Sequence, residues 1–104
     1  MHGREYVIHI TTAADIRFVG HVIFLARASI SGAERLYNKL YKTIYSLDFN
    51  PEGYPRYFTS KLAKTELRYC FCPKYHRIVY DVVGDNVYVH DVQDCRQHPN
   101  RSLV

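Results

Sequence analysis

The sequence contains no tryptophan, one methionine and three cysteines. Its longest apolar run, Val22 to Ala26, is far shorter than the roughly 20 residues that cross a bilayer, so we expect no membrane partner. No apolar segment follows a basic start, so we expect no secretory leader. Together with an odd number of cysteines, these absences predict a cytoplasmic protein in a reducing compartment.

The chain has the size of one domain, and we expect residues 1–104 to share a single core. Hydrophobic residues make up 47% and charged residues 23% of the sequence, which is typical of a folded domain. Lys and Arg number 14 against 10 Asp and Glu, for a formal net charge of +4. This moderate excess is compatible with an anionic partner such as nucleic acid, although ordinary surfaces also carry it.

The spacing of apolar residues predicts the order β-α-α-β-β-β. A β-branched run from Tyr6 to Ile10 indicates the first strand. Two helices follow, over about 12–28 and 31–48, with Thr12 and Ser31 as the predicted N-caps. Each helix has an apolar stripe that we expect to be buried. The stripes are Ile16, Val19, Val22, Ile23 and Ala26 in the first helix, and Ala33, Leu36, Leu40, Ile44 and Leu47 in the second.

A loop from Asn50 to about Lys64 should separate these helices from three further strands. The strands are predicted at Leu67 to Cys72, His76 to Val83 and Asn86 to Asp94. We expect an α+β fold in which the helical hairpin covers one face of an antiparallel sheet.

The cysteines are the first candidates for a metal site. Cys70 and Cys72 should lie on one face of a strand about 7 Å apart, which is awkward for a disulfide. Cys95 with His90 or His98 would be needed to complete a zinc site. We expect reduced thiols, no metal and no cofactor.

The C-terminal half combines three short motifs, listed in chain order: His76-Arg77-Ile78-Val79-Tyr80-Asp81-Val82, the turn Gly84-Asp85, and Val87 to Asp94 followed by Cys95-Arg96-Gln97. Preceded by a helical hairpin and a loop with Pro and Gly, this pattern resembles the RelE/ParE toxins of type II toxin–antitoxin modules. The resemblance covers most of the chain. It implies a bacterial growth-inhibiting toxin, of the plasmid-stabilisation type, that is masked by an antitoxin with an acidic C-terminal segment.

The resemblance implies roles for Arg77, Arg96 and His98. In ribonuclease members, arginines at the first two positions contact the scissile phosphate, and His98 would supply the proton-transfer group. We expect Arg77 and Arg96 to converge on the sheet face without helices. The alternatives are a surface pairing of Arg77 with Asp81, a rim charge at Arg96 and an exposed tail residue at His98.

The resemblance leaves two mechanisms open. RelE-like, ribosome-dependent mRNA endoribonucleases carry two basic residues spaced two apart, but this chain has Arg68 followed by Cys70. No tyrosine follows Arg96, and the ending is closer to that of ParE-like toxins, which bind DNA gyrase. We therefore favour non-catalytic target binding, with Lys61, Lys64 and Arg68 as further contacts to RNA or the target. A non-toxic RNA- or protein-binding domain is the third alternative.

Three tyrosines, Tyr37, Tyr41 and Tyr45, recur every four residues along the second predicted helix. Such a ladder is usually the flank of a core. Within the toxin hypothesis it is also the expected antitoxin-binding surface, because tyrosine gives a large contact area at low entropic cost.

Overall fold

A computed structural model describes residues 5–59 and 66–97 of the chain. It has an α+β fold, as expected. The elements in chain order are β1 (Val7–Ile10), α1 (Thr12–Ala26), α2 (Ile30–Tyr45), β2 (Arg56–Tyr57), β3 (Leu67–Cys72), β4 (His76–Val83) and β5 (Asn86–Asp94). Short 3-10 turns at Ser46–Asp48 and Pro51–Gly53 follow α2.

The strands form one five-stranded sheet in the order β1-β5-β4-β3-β2. Neighbouring strands are antiparallel except β1, which pairs with β5 in parallel. The sheet is therefore mixed, and the expectation of an antiparallel sheet is wrong for β1. The error arises because the sequence shows the relative direction of two strands only where a short turn joins them. No such turn joins β1 and β5, which lie at opposite ends of the described chain.

The segment predicted as a loop contains β2, an additional strand of two residues that pairs with the start of β3. So short a strand has no recognisable alternation in the sequence. The predicted hairpin between β4 and β5 is confirmed, since Val83 pairs with Asn86 and Gly84 adopts a positive φ of 60°. A left-handed backbone of this kind favours glycine.

The first helix begins at Thr12, as predicted, and the second begins one residue earlier than predicted, but the N-cap residue differs from the predicted one in both. The Thr11 hydroxyl, not that of Thr12, accepts a hydrogen bond from the Ala14 N–H at 3.1 Å. The Thr11 N–H donates to the Val89 carbonyl of β5, which holds Thr11 in the extended conformation that an N-cap needs. In α2 the cap is Ser29 instead of Ser31, and its hydroxyl accepts from the Gly32 N–H at 2.9 Å.

The main core lies between the helices and one face of the sheet. The predicted stripe of α2 is confirmed, because Ala33, Leu40, Ile44 and Leu47 are buried and Leu36 is partly buried. On the sheet, Ile78 and Tyr80 are buried and Val82 packs against the same cluster. The remaining buried residues of this core are Ala14, Phe18, Cys70, Cys72, Val87, Val89 and Val92.

The predicted stripe of α1 is largely wrong. Ile16, Val19 and Ile23 are 66%, 45% and 52% exposed, whereas Ala14 and Phe18 make the buried contact. Because α1 is apolar around most of its circumference, residues spaced three and four apart form two apolar stripes. The spacing alone does not show which of the two is buried. Packing against β5 selects the stripe that contains Phe18. Neither helix in residues 5–59 and 66–97 is long and apolar enough to span a bilayer.

Candidate functional site

Arg77 lies on the sheet face that the helices leave uncovered, as alternation along β4 predicts. Its Nε donates a hydrogen bond of 2.6 Å to Gln93 Oε1 of β5. Its guanidinium carbon lies 5.0 Å from the ring centre of Tyr57 and 5.8 Å from that of Tyr69. Arg77 is therefore held by residues of β2, β3 and β5, within the distance at which cations attract aromatic faces.

Gln93 connects this arginine to a larger polar network. Its amide nitrogen donates to the Tyr57 hydroxyl at 3.1 Å and to Asp91 Oδ2 at 3.0 Å. Asp91 Oδ1 in turn lies 3.7 Å from Arg17 Nε of α1. The alternative partner for Arg77, Asp81, is instead 2.8 Å from the ring of His90.

We refer to Arg77, Tyr57, Tyr69, Phe71 and Gln93 as the Arg77 face. Phe71 pairs with Arg77 across β3 and β4 and is half exposed. The terminal nitrogens of Arg77 make no hydrogen bond to any residue of segments 5–59 and 66–97. This face thus presents a fixed cation and aromatic rings, which can contact an anionic or carbonyl-rich surface.

Arg96 lies elsewhere, and the predicted convergence with Arg77 is wrong. Its Nε and Nη2 donate to the two carboxylate oxygens of Asp94 at 3.0 and 2.8 Å, and its guanidinium stacks 4.0 Å over the Tyr75 ring. Asp94 pairs with His76 on the helix-covered side of the sheet, whereas its neighbour Gln93 faces the opposite side. The two arginines are therefore bound to consecutive residues of β5 that point in opposite directions.

Arg68 also lies apart from the Arg77 face. It is opposite Tyr80 in the register of β3 and β4, so it is directed to the helix-covered side. Its terminal nitrogens donate to the Tyr54 carbonyl at 2.7 Å and to Glu66 at 3.1 Å. Lys61, Lys64 and His98 lie outside the described residues.

A cleft of about 620 Å³ on the helix-covered side contains a cluster that the sequence did not reveal. The rings of His21 in α1 and His76 in β4 have centroids 5.3 Å apart. His76 Nε2 is 4.0 Å from Asp94 Oδ2, and His21 Nε2 is 2.7 Å from the Val92 carbonyl oxygen. These residues are distant along the chain, and only the packing of α1 over β5 brings them together.

The electrostatics of the cleft follow from burial and from Arg96. Burial, and then the neighbouring His21, lower the pKa of His76, so its imidazole is neutral at pH 7. Hydrogen bonds from Arg96 hold the pKa of Asp94 below its usual range. The cleft therefore combines an uncharged imidazole, a carboxylate and a guanidinium.

The tyrosine ladder on α2 is exposed along its whole length. Tyr37, Tyr41 and Tyr45 are each between 41% and 49% exposed, and successive ring centroids are 6.1 and 4.7 Å apart. Tyr37 also contacts the buried Phe18 ring edge-on at 5.5 Å. The ladder therefore flanks the core and at the same time offers an aromatic surface.

Cys70 and Cys72 are buried and Cys95 is exposed, and all three are free thiols. Burial raises the pKa of the Cys70 thiol. The two strand cysteines thus belong to the core, away from Cys95 at the end of β5.

No protein-family model matches the chain, and no curated protein matches it at the threshold of the search.

Proposed function

We propose that the chain is a growth-inhibiting toxin of the RelE/ParE type that acts by binding a macromolecular target, DNA gyrase, through the Arg77 face. The observation that carries the proposal is the fixed position of Arg77 between two tyrosine rings and Gln93 on a sheet face without helices. Arginine and tyrosine, together with tryptophan, are enriched among the side chains that dominate the energy of protein interfaces.

Two further features support this proposal. The element order of an N-terminal strand, a helical hairpin and a C-terminal sheet is compatible with the expected fold, with β2 as an addition. The exposed tyrosines of α2 would bind the antitoxin on a surface separate from the target face. A toxin that acts on gyrase would work in the bacterial cytoplasm.

Cleavage of mRNA on the ribosome is the second candidate, and the cleft favours it. A neutral His76 near the guanidinium of Arg96 could accept a proton while the cation stabilises charge on a phosphate. Against this mechanism, Cys70 is buried under the helices and Arg68 is directed to the same side. The basic pair of the ribonucleases is therefore not reproduced next to Arg77.

The test is induction of the chain alone in a bacterial host, followed by growth, with purified protein assayed for inhibition of DNA gyrase. We expect growth arrest and gyrase inhibition, and Arg77→Ala should weaken both. An interface arginine of this kind contributes about 2 kcal/mol, or roughly 30-fold in affinity. Arg27→Ala is the matched control, because Arg27 is an exposed arginine at the end of α1.

The same cultures distinguish the alternatives. Cleavage of mRNA in translating ribosomes, lost in His76→Gln or His98→Ala, would favour the ribonuclease. Normal growth at verified soluble expression would instead favour a non-toxic binding domain and contradict the toxin proposal.

A further inference from the structure

We propose that His21, His76 and Asp94 form a binding site for a divalent transition-metal ion at the base of the cleft beside α1. Each residue offers one ligand atom, and these atoms all lie within 4.8 Å of one another. Tetrahedral zinc, with bonds of about 2.0–2.2 Å, holds its ligand atoms roughly 3.4 Å apart. Small side-chain movements would therefore close the site around an ion. This inference does not depend on the proposed toxin function.

The three ligands are fixed by different parts of the fold. His76 and Asp94 are paired directly across β4 and β5, and His21 is brought over them by α1. The 2.7 Å contact between His21 Nε2 and the Val92 carbonyl places the proton of a neutral ring on Nε2 and leaves a lone pair on Nδ1. A backbone carbonyl that orients the ring in this way is typical of histidine ligands.

Asp94 retains capacity for a metal while it binds Arg96. Its Oδ1 accepts hydrogen bonds from the backbone N–H and the Nε of Arg96. Of the three Arg96 donors, only Nη2 donates to Oδ2. A carboxylate has about four lone-pair positions, so one remains on Oδ2, the oxygen nearest His76. The Arg96 charge opposes a cation, but its side chain is 59% exposed and is therefore screened by solvent.

The donor set and the cleft define the class of ion. Two imidazoles and one carboxylate suit zinc and other first-row divalent ions, whereas calcium and magnesium prefer oxygen ligands alone. The cleft of about 620 Å³ opens to solvent and leaves room for water at the remaining coordination positions. This site is distinct from the cysteine set considered from the sequence, because none of its three ligands is a thiol.

The experiment uses the full chain without a histidine tag, carrying Cys95→Ser so that the exposed thiol next to Asp94 cannot act as a ligand. Purified protein is titrated with Co²⁺, whose visible absorption reports coordination, and then with Zn²⁺ by calorimetry. We expect one equivalent of each ion to bind, with zinc displacing cobalt. Absence of saturable binding, or a thiolate-to-cobalt absorption band, would overturn the proposal.

Single substitutions locate the site. His21→Gln, His76→Gln and Asp94→Asn should each weaken binding by about 100-fold or more, since even changes to outer-shell partners of a metal cost 10- to 100-fold. His90→Gln is the matched control, because His90 also lies beside a carboxylate, Asp81 Oδ1 at 2.8 Å, but outside this cluster. Circular dichroism checks that each variant is folded. Unchanged affinity in folded His21→Gln, or an equal loss in His90→Gln, would refute the assignment.

Discussion

The two sides of the sheet hold their arginines in different ways. Arg77, on the side without helices, is fixed by residues from three other strands. Arg96, on the helix-covered side, is held by Asp94, two residues earlier in the chain, and by the ring of Tyr75. A side chain that the fold has already fixed loses less entropy on binding a partner. Under the proposed function, Arg77 would therefore be the stronger interface anchor of the two, although the sequence motifs treat the two arginines alike.

The largest expected effect is a difference in the reaction rates of the cysteines between the helix-covered interior and the exposed end of β5. Cys95 should react rapidly with a thiol reagent at pH 8. Cys70 and Cys72 should react at least about 1000-fold more slowly, because they are buried and folded domains are stable by roughly 5 kcal/mol or more. The raised pKa of Cys70 adds to its protection.

Mass spectrometry during labelling measures this contrast, with one modified thiol expected in the native protein and three after denaturation. Cys95→Ser should remove the rapid phase. A second thiol that reacts as fast as Cys95 would show that the core beneath the helices opens readily.

Substitution of two neighbouring residues of β4, Ile78 and Val79, tests how the two sides of the sheet contribute to stability. Ile78 faces the main core and Val79 faces a smaller cluster with Leu67, Tyr57 and Tyr69, and both are fully buried. Ile78→Ala should lower the free energy of unfolding by about 2–5 kcal/mol. Val79→Ala should cost about 1.5 kcal/mol, because it removes two methyl-sized groups beside tyrosines that can move inward. Urea denaturation of both variants measures the difference, and equal losses would contradict the distinction between the two clusters.

The sequence predicts elements that are determined locally. The strands β3, β4 and β5, the hairpin turn at Gly84 and the buried stripe of α2 follow from residues close together in the chain. The burial of α1 could not be predicted correctly, because its two apolar stripes differ only in what they pack against. The parallel direction of β1 likewise depends on pairing with the last strand.

The candidate sites also combine features that the local sequence predicts with features that depend on distant elements. Alternation along one strand was sufficient to place Arg77 on the side without helices. Its partners Tyr57 and Gln93, and the approach of His21 to His76, depend on contacts between distant elements. The predicted convergence of Arg77 and Arg96 failed because an arginine just beyond a strand can turn to either side, and Asp94 fixes its direction.

The smallest expected effect is that of Arg96→Ala on target binding. Arg96 lies on the opposite side of the sheet from the Arg77 face. If the target binds the Arg77 face, Arg96 is distant from the target, and distant sites usually interact by less than about 0.5 kcal/mol, or roughly 2-fold. Arg96→Ala should therefore retain gyrase inhibition and growth arrest within about 2-fold, whereas Arg77→Ala loses roughly 30-fold. Both variants and the double variant are measured at equal soluble expression, and the double variant should match Arg77→Ala. If Arg96→Ala abolished toxicity while Arg77→Ala left it intact, the active surface would be the cleft of His76 and Arg96, and the proposal of target binding through the Arg77 face would be wrong.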